Sequence, residues 1–252
     1  MISMKYIKLF ENWIIFENEL ENGDANLKDS QGKTSLHYAI EKNDLEEVMS
    51  LVEKGADVNL TDNVGKNSLH FAMKDPEIDT IKFLVEKGAN VNLKSKSGKT
   101  PLQSAIEKKE IDIIKFLVEK GADVNFKDDI GKTPLQYAIE KCETSSWTGS
   151  VNFETIELLI QRGANLNTQD FMGGTALHYS IGVTADTMHG EITKFLVERG
   201  ADIFIKNLLG KTPLQLAKDI LERMPIPNPL DTSKFIEHLT VENVVKFLEN
   251  AE

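Results

Sequence analysis

The chain has 252 residues, a length that predicts one or two compact domains. With 40% hydrophobic and 27% charged residues it fits a globular protein and excludes a disordered one, and its net charge of −11 argues against general affinity for nucleic acid or anionic lipid. The lone cysteine, Cys142, excludes an internal disulfide and predicts a reducing, cytoplasmic compartment.

Residues 1–22 carry Tyr6, Ile7, Phe10, Trp13, Ile14 and Leu20 at spacings that predict a helical N-terminal cap. Glu11, Asn12, Glu17 and Asn18 interrupt this stretch, so it lacks the unbroken apolar core of a secretory leader. No apolar run in the chain approaches the roughly 18 residues of a membrane span. From residue 23 to 220 two glycine series run in parallel. Gly32, Gly65, Gly98 and Gly131 are 33 residues apart, and Gly173 and Gly210 continue the series after 42 and 37. Gly55, Gly88, Gly121, Gly163 and Gly200 each stand ten residues before a member of the first series. The ten-residue segment is therefore constant, and all length variation falls elsewhere in the unit.

Each unit has the marks of two helices and a turn. Thr100, Thr133 and Thr212 are N-caps, and Pro101, Pro134 and Pro213 follow at the first helical position, where no amide partner is lost. Small Ala39, Ala72, Ala105, Ala138 and Ala217 allow neighbouring first helices to approach closely. The second helix is apolar on a wide arc: Ile111, Ile114, Leu117 and Val118 form one face, Ile113 and Phe116 a second. Gly55, Gly88, Gly121, Gly163 and Gly200 then end it as residues able to take positive φ. The stretch from there to the next glycine forms a projecting hairpin.

The unit Thr133-Pro134-Leu135-Gln136-Tyr137-Ala138, with its period of 33, resembles the ankyrin repeat. The resemblance spans about Gly23 to Ile220 in six copies, starting near residues 29, 62, 95, 128, 170 and 207. It implies an all-α solenoid of helix pairs with projecting β-hairpin loops. It also implies a non-catalytic interaction module, with no cofactor, binding a protein partner through a concave face of hairpin tips and first helices. An inhibitor or immunity-type protein, or a secreted effector, blocking an enzyme with that same face is the alternative. His37, His70 and His178 share one slot of the unit, filled elsewhere by Gln103, Gln136 and Gln215. In this family that slot hydrogen-bonds within and between repeats.

Catalytic motifs do not survive the periodicity. Gly-Lys-Thr at Gly32, Gly98, Gly131 and Gly210 resembles the tail of a phosphate-binding loop, yet the required glycine five residues earlier is Leu27, Leu93, Phe126 or Ile205. His189 and His238 lie in inserts without metal spacing to Cys142 or to each other.

The copies differ in instructive places. The fourth carries nine extra residues within 141–152, including Trp147, and the fifth carries four within 182–190. Residues 221–252 complete the sixth: Pro225, Pro227 and Pro229 break the chain before a segment at 233–239, and a last helix from Thr240 repeats Lys-Phe-Leu at Lys246. Hairpin tips are mostly polar early (Ser30-Gln31, Asn63-Val64, Lys96-Ser97) and apolar late (Asp129-Ile130, Phe171-Met172, Leu208-Leu209). Ile130, Phe171, Met172, Leu208 and Leu209 thus predict an exposed apolar patch of partner-binding size. Lys94, Lys99, Lys127, Lys132, Lys206 and Lys211 surround it, Lys132 and Lys211 being the basic contacts expected for a partner with an acidic surface, and Trp147 is a further candidate. The chain is expected to be monomeric. Asn59 and Asn125 end stretches (from Leu51 and Leu117) similar to substrates of the ankyrin asparaginyl hydroxylase, although a hairpin-stabilising role is the simpler expectation.

Overall fold

The structure, a computed structural model, describes residues 24–142, 151–182, 187–224 and 232–251. Twelve helices occur among them: α1 Ser35–Glu41, α2 Leu45–Glu53, α3 Ser68–Ala72, α4 Ile78–Glu86, α5 Pro101–Lys108, α6 Ile111–Glu119, α7 Pro134–Glu140, α8 Val151–Gln161, α9 Ala176–Gly182, α10 Thr187–Glu198, α11 Pro213–Arg223 and α12 Thr232–Ala251. They form six pairs, one per repeat. No strand occurs among the described residues. The projecting hairpins are tight turns held by few backbone bonds, as between Asp128 N and Lys132 O at 3.1 Å and Gly131 N and Asp128 O at 3.0 Å.

Capping explains where the first helices begin. Thr133 Oγ1 accepts from Gln136 N at 3.3 Å, while Thr133 N donates to Gln136 Oε1 at 2.8 Å. Asn67 and His70 make the same reciprocal box at α3, and Thr212 and Gln215 at α11. The second helices end on glycine. At α8, Gly163 with φ 86° lets its amide and that of Ala164 fold back onto Ile160 O and Leu159 O, which a residue with a Cβ would resist.

The described residues fall into two compact units, the second comprising Ala105–Val118 and everything after Ala122. In the first, α1 packs on α2 and α3, and α4 on α2 and α3. Leu36, Ile40, Leu51, Leu69, Ile81 and Leu84 are fully buried there. In the second, α7 packs on α8 and α9, α9 on α10 and α11, and α12 on α10 and α11. Ile114, Leu135 and Ile139 are among its fully buried side chains.

The C-terminus differs from the sequence expectation. Residues 232–251 form one helix of 20 residues, with no restart at Thr240. Neither glycine nor proline interrupts that stretch, so nothing in it stops a helix already begun. The N-terminal cap at 1–22, the proline segment at 225–231 and Trp147 lie outside the described residues.

Candidate protein interface

In repeats four to six the hairpin turns are built on one side chain each. Asp128 Oδ1 accepts from the amides of Ile130 at 3.0 Å and Lys132 at 2.7 Å, and its Oδ2 accepts from Tyr137 Oη at 2.6 Å. Asp170 does the same for Met172, Gly174 and Tyr179, and Asn207 for Leu209 and Lys211. Burial, then the hydrogen bond to the carboxylate, pushes the Tyr137 and Tyr179 phenols well above their ordinary pKa. These backbone amides of the turns are thus satisfied without any hydrogen bond from the tip side chains.

Successive tips are joined by single backbone bonds, Phe171 N to Ile130 O at 3.0 Å and Leu208 N to Met172 O at 2.9 Å. The Phe171 ring lies over the bare Cα of Gly131, where a Cβ would come within 2.8 Å of it. These links bring the five predicted tip residues into one row. Ile130 is 56% exposed, Phe171 69%, Met172 66%, Leu208 69% and Leu209 73%. Side chains of this size and exposure in a contiguous row are uncommon on a surface that meets only water.

The basic contacts sit differently. Lys132 is 4% exposed: its Nζ pairs with Glu140 at 2.7 Å and lies 4.8 and 4.6 Å from the Tyr137 and Tyr179 ring centres. Placed as a surface contact from sequence, Lys132 is in the structure an internal strut between repeats, because two aromatic faces and a carboxylate enclose it. Lys211 is half-buried and paired with Asp219. Lys127 and Lys206 remain exposed beside the tips, with Lys127 Nζ donating to Gln169 O.

The shared His/Gln slot works between repeats. His37 Nδ1 accepts from Thr34 N, and its Nε2 reaches Leu60 O, in the segment leading into the second repeat, at 3.1 Å. His70 reaches Lys99 O, His178 reaches Lys211 O, and Gln136 donates to Thr168 O and Gly174 O. Desolvation lowers the pKa of all three histidines, that of His37 to about 4, so they are neutral and tied up in structure. Asn59 and Asn125 are staples too. Asn125 Nδ2 donates to Gly163 O at 2.9 Å and Oδ1 accepts from Asn165 N at 2.7 Å, and Asn59 repeats this with Gly88 and Asn90. Cys142 is buried, and no group of three or more His, Cys, Asp or Glu side chains among the described residues is placed to hold a metal. No helix among them is long and apolar enough to cross a membrane.

Comparison with known families agrees with this geometry. The model described as "Ankyrin repeats (3 copies)" matches residues 5–95 and 80–170, and the single "Ankyrin repeat" model matches 172–208. The chain belongs to the ankyrin-repeat family. Among solved structures it is similar to the crystal structure of the ankyrin repeat domain of Bcl-3, described as a unique member of the IkappaB protein family. That likeness has 26% identity and a TM-score of 0.67 over 80% of this chain and 86% of that one. A search of curated protein sequences returned no match. An ankyrin-repeat array is a protein–protein interaction scaffold, and the five tip residues are among the exposed large apolar side chains of the described residues.

A further exposed aromatic residue lies outside the tips and was not singled out by the sequence. Phe204 is 61% exposed. It occupies the slot held by Asn26, Asn59, Asn92, Asn125 and Asn167, three residues before each hairpin's Asp or its stand-in. The asparagine that fills this slot in the five preceding repeats is the sequence signal that marks Phe204 as a departure.

Proposed function

We propose that this protein is a non-catalytic adaptor that binds a protein partner through the hairpin tips of repeats four to six. The observation that carries the reading is the row of Ile130, Phe171, Met172, Leu208 and Leu209, each more than half exposed on turns that do not use them. Interface cores favour such large apolar anchors, and a few of them supply most of the affinity. The basic contribution falls to Lys127 and Lys206, since Lys132 and Lys211 already have acidic partners within the chain. An acidic partner would therefore be steered by these two, and binding would weaken only modestly with salt.

Affinity capture by the full chain, repeated with a Phe171→Ala, Leu209→Ala double variant, tests this reading. The partner recovered by the unaltered protein should be lost from the variant. Equal recovery by both would remove the tips from the interface. If adding the chain abolishes an activity of the recovered partner at one-to-one stoichiometry, the protein is an inhibitor of that partner rather than an adaptor. Asn59 and Asn125 are read as staples; intact mass after incubation with an asparaginyl hydroxylase should be unchanged, and an added oxygen would make them modification sites as well.

A further inference from the structure

A lysine and an acid eight residues apart recur along the array. Lys33 and Glu41, Lys99 and Glu107, Lys132 and Glu140, and Lys211 and Asp219 fill these two slots in repeats one, three, four and six. Lys33 and Lys132 close their ion pairs at 2.8 and 2.7 Å, and Lys211 pairs likewise with Asp219. Lys33 and Lys132 also each lie over two rings, one from their own repeat and one from the next. Lys33 Nζ is 5.0 Å from the Tyr38 ring centre and 5.1 Å from that of Phe71, and Lys132 Nζ is 4.8 and 4.6 Å from those of Tyr137 and Tyr179. The slot is thus a seat for an ammonium group, made of aromatic faces and a carboxylate.

Repeat five keeps the ring and loses both charges. Its two slots are Gly174 and Gly182, again eight residues apart. Gly174 stays beside the ring: a Cβ on it would stand 3.3 Å from Tyr179 Cε2 and 3.4 Å from the Asp170 carboxylate oxygens. Gly182 follows Tyr179 by three residues on α9, as Glu140 follows Tyr137 on α7. Tyr179 is half-buried where Tyr137 is buried. The local charge is negative. Lys132 is offset by Glu140 and Lys211 by Asp219, which leaves the Asp128 and Asp170 carboxylates, bonded to the Tyr137 and Tyr179 hydroxyls, in excess. Residues 165–175 include no lysine, whereas the hairpin of every other repeat has at least one. Nor do the loops at 143–150, 183–186 and 225–231 contain any lysine, arginine or histidine that could take the place.

We propose that repeat five takes a lysine side chain of the partner protein, its ammonium group lying over Tyr179 beside Asp170 where the chain's own lysine is replaced by Gly174. Lys132 is the template, one repeat away, for how such a group is held. The seat belongs to the same hairpin as Phe171 and Met172, so it gives the apolar row a charged anchor at its centre. This rests on the tip-row reading for where the partner lies, and adds which side chain it must present there.

The probe is N-acetyl-lysine methylamide, titrated into the full chain while the Tyr179 ring signal is followed by NMR. The norleucine analogue, which lacks only the amino group, is the control. A saturable shift at Tyr179 with the lysine compound alone is expected. No saturation by about 50 mM, or an equal response to norleucine, would overturn the proposal. Gly174 has no positive φ, so the backbone accepts a side chain there. Gly174→Lys with Gly182→Glu restores the internal pair and should hold or raise the melting temperature while weakening both the probe and the captured partner about tenfold or more. Tyr179→Leu, the residue of this slot in repeat six, should weaken the probe as well. A partner captured equally well by the Gly174→Lys, Gly182→Glu variant would overturn the proposal. Phe171→Ala separates the two readings: loss of the partner with the probe unaffected supports both, and loss of the partner when no variant binds or refuses the probe leaves the tip row standing without this seat.

Discussion

His37 shows how one side chain ties sequence to stability. Its Nδ1 accepts from the cap of α1 and its Nε2 donates to Leu60 O in the segment leading into the second repeat, a pattern only the neutral ring can supply. Burial lowers its pKa from 6.5 to about 4, so above pH 6.5 both folded and unfolded chains hold it neutral and the bond is fully present. As pH falls from 6.5 towards 4 the unfolded chain takes a proton that the folded chain refuses, and stability is lost, by about 3 kcal/mol at the low end. His70 and His178 shift the same way. His37→Gln uses the residue found in this slot at other repeats, and should flatten the fall in melting temperature across that window. An unchanged acid profile would show that His37 does not carry it. Lys132 makes a second residue-level case. Lys132→Ala should cost about 1–3 kcal/mol of stability, from the lost ion pair and ring contacts, while partner binding per folded molecule stays the same. Sequence could not show this, because a lysine after a glycine reads as a solvated turn. Glu140, Tyr137 and Tyr179 enclose it only once two repeats are stacked.

At the scale of the element, much of the unit was legible. Thr-Pro at the first helix, the C-terminal glycines and the buried His/Gln slot each have a local physical reason, and each occurs where that reason requires. The single helix α12 was less legible, because Thr240 offers cap chemistry wherever it stands and only the absence of a breaker shows that it is not used. Phe204 was hidden for another reason: its meaning lies in replacing an asparagine whose role is set by a neighbouring repeat. Stapling gives a direct contrast. Asn125→Ala removes two inter-repeat hydrogen bonds and should lower unfolding free energy by about 1–2 kcal/mol. The reverse change at the equivalent place, Phe204→Asn, should leave it within about 0.5 kcal/mol. Chemical denaturation of both variants checks the pair, and equal losses would contradict the staple account.

On the scale of the whole molecule, stability in such an array is close to a sum of repeat and neighbour terms, so a side chain outside those contacts is free to serve binding. The tip row of repeats four to six is more than half exposed, with the Phe171 ring resting on a neighbouring glycine, Gly131. The gradient from polar to apolar tips was readable in the sequence, whereas the backbone bonds that join the tips into one row belong to the fold. The most direct test of the central claim is to measure partner affinity and melting temperature together for Phe171→Ala, with Ser30→Ala, Gln31→Ala as the control. The account predicts that Phe171→Ala loses about 1–3 kcal/mol of binding, the range for a buried anchor, with melting nearly unchanged and the control silent in both. A melting temperature lowered by many degrees, with binding per folded molecule intact, would make the tips structural and contradict it.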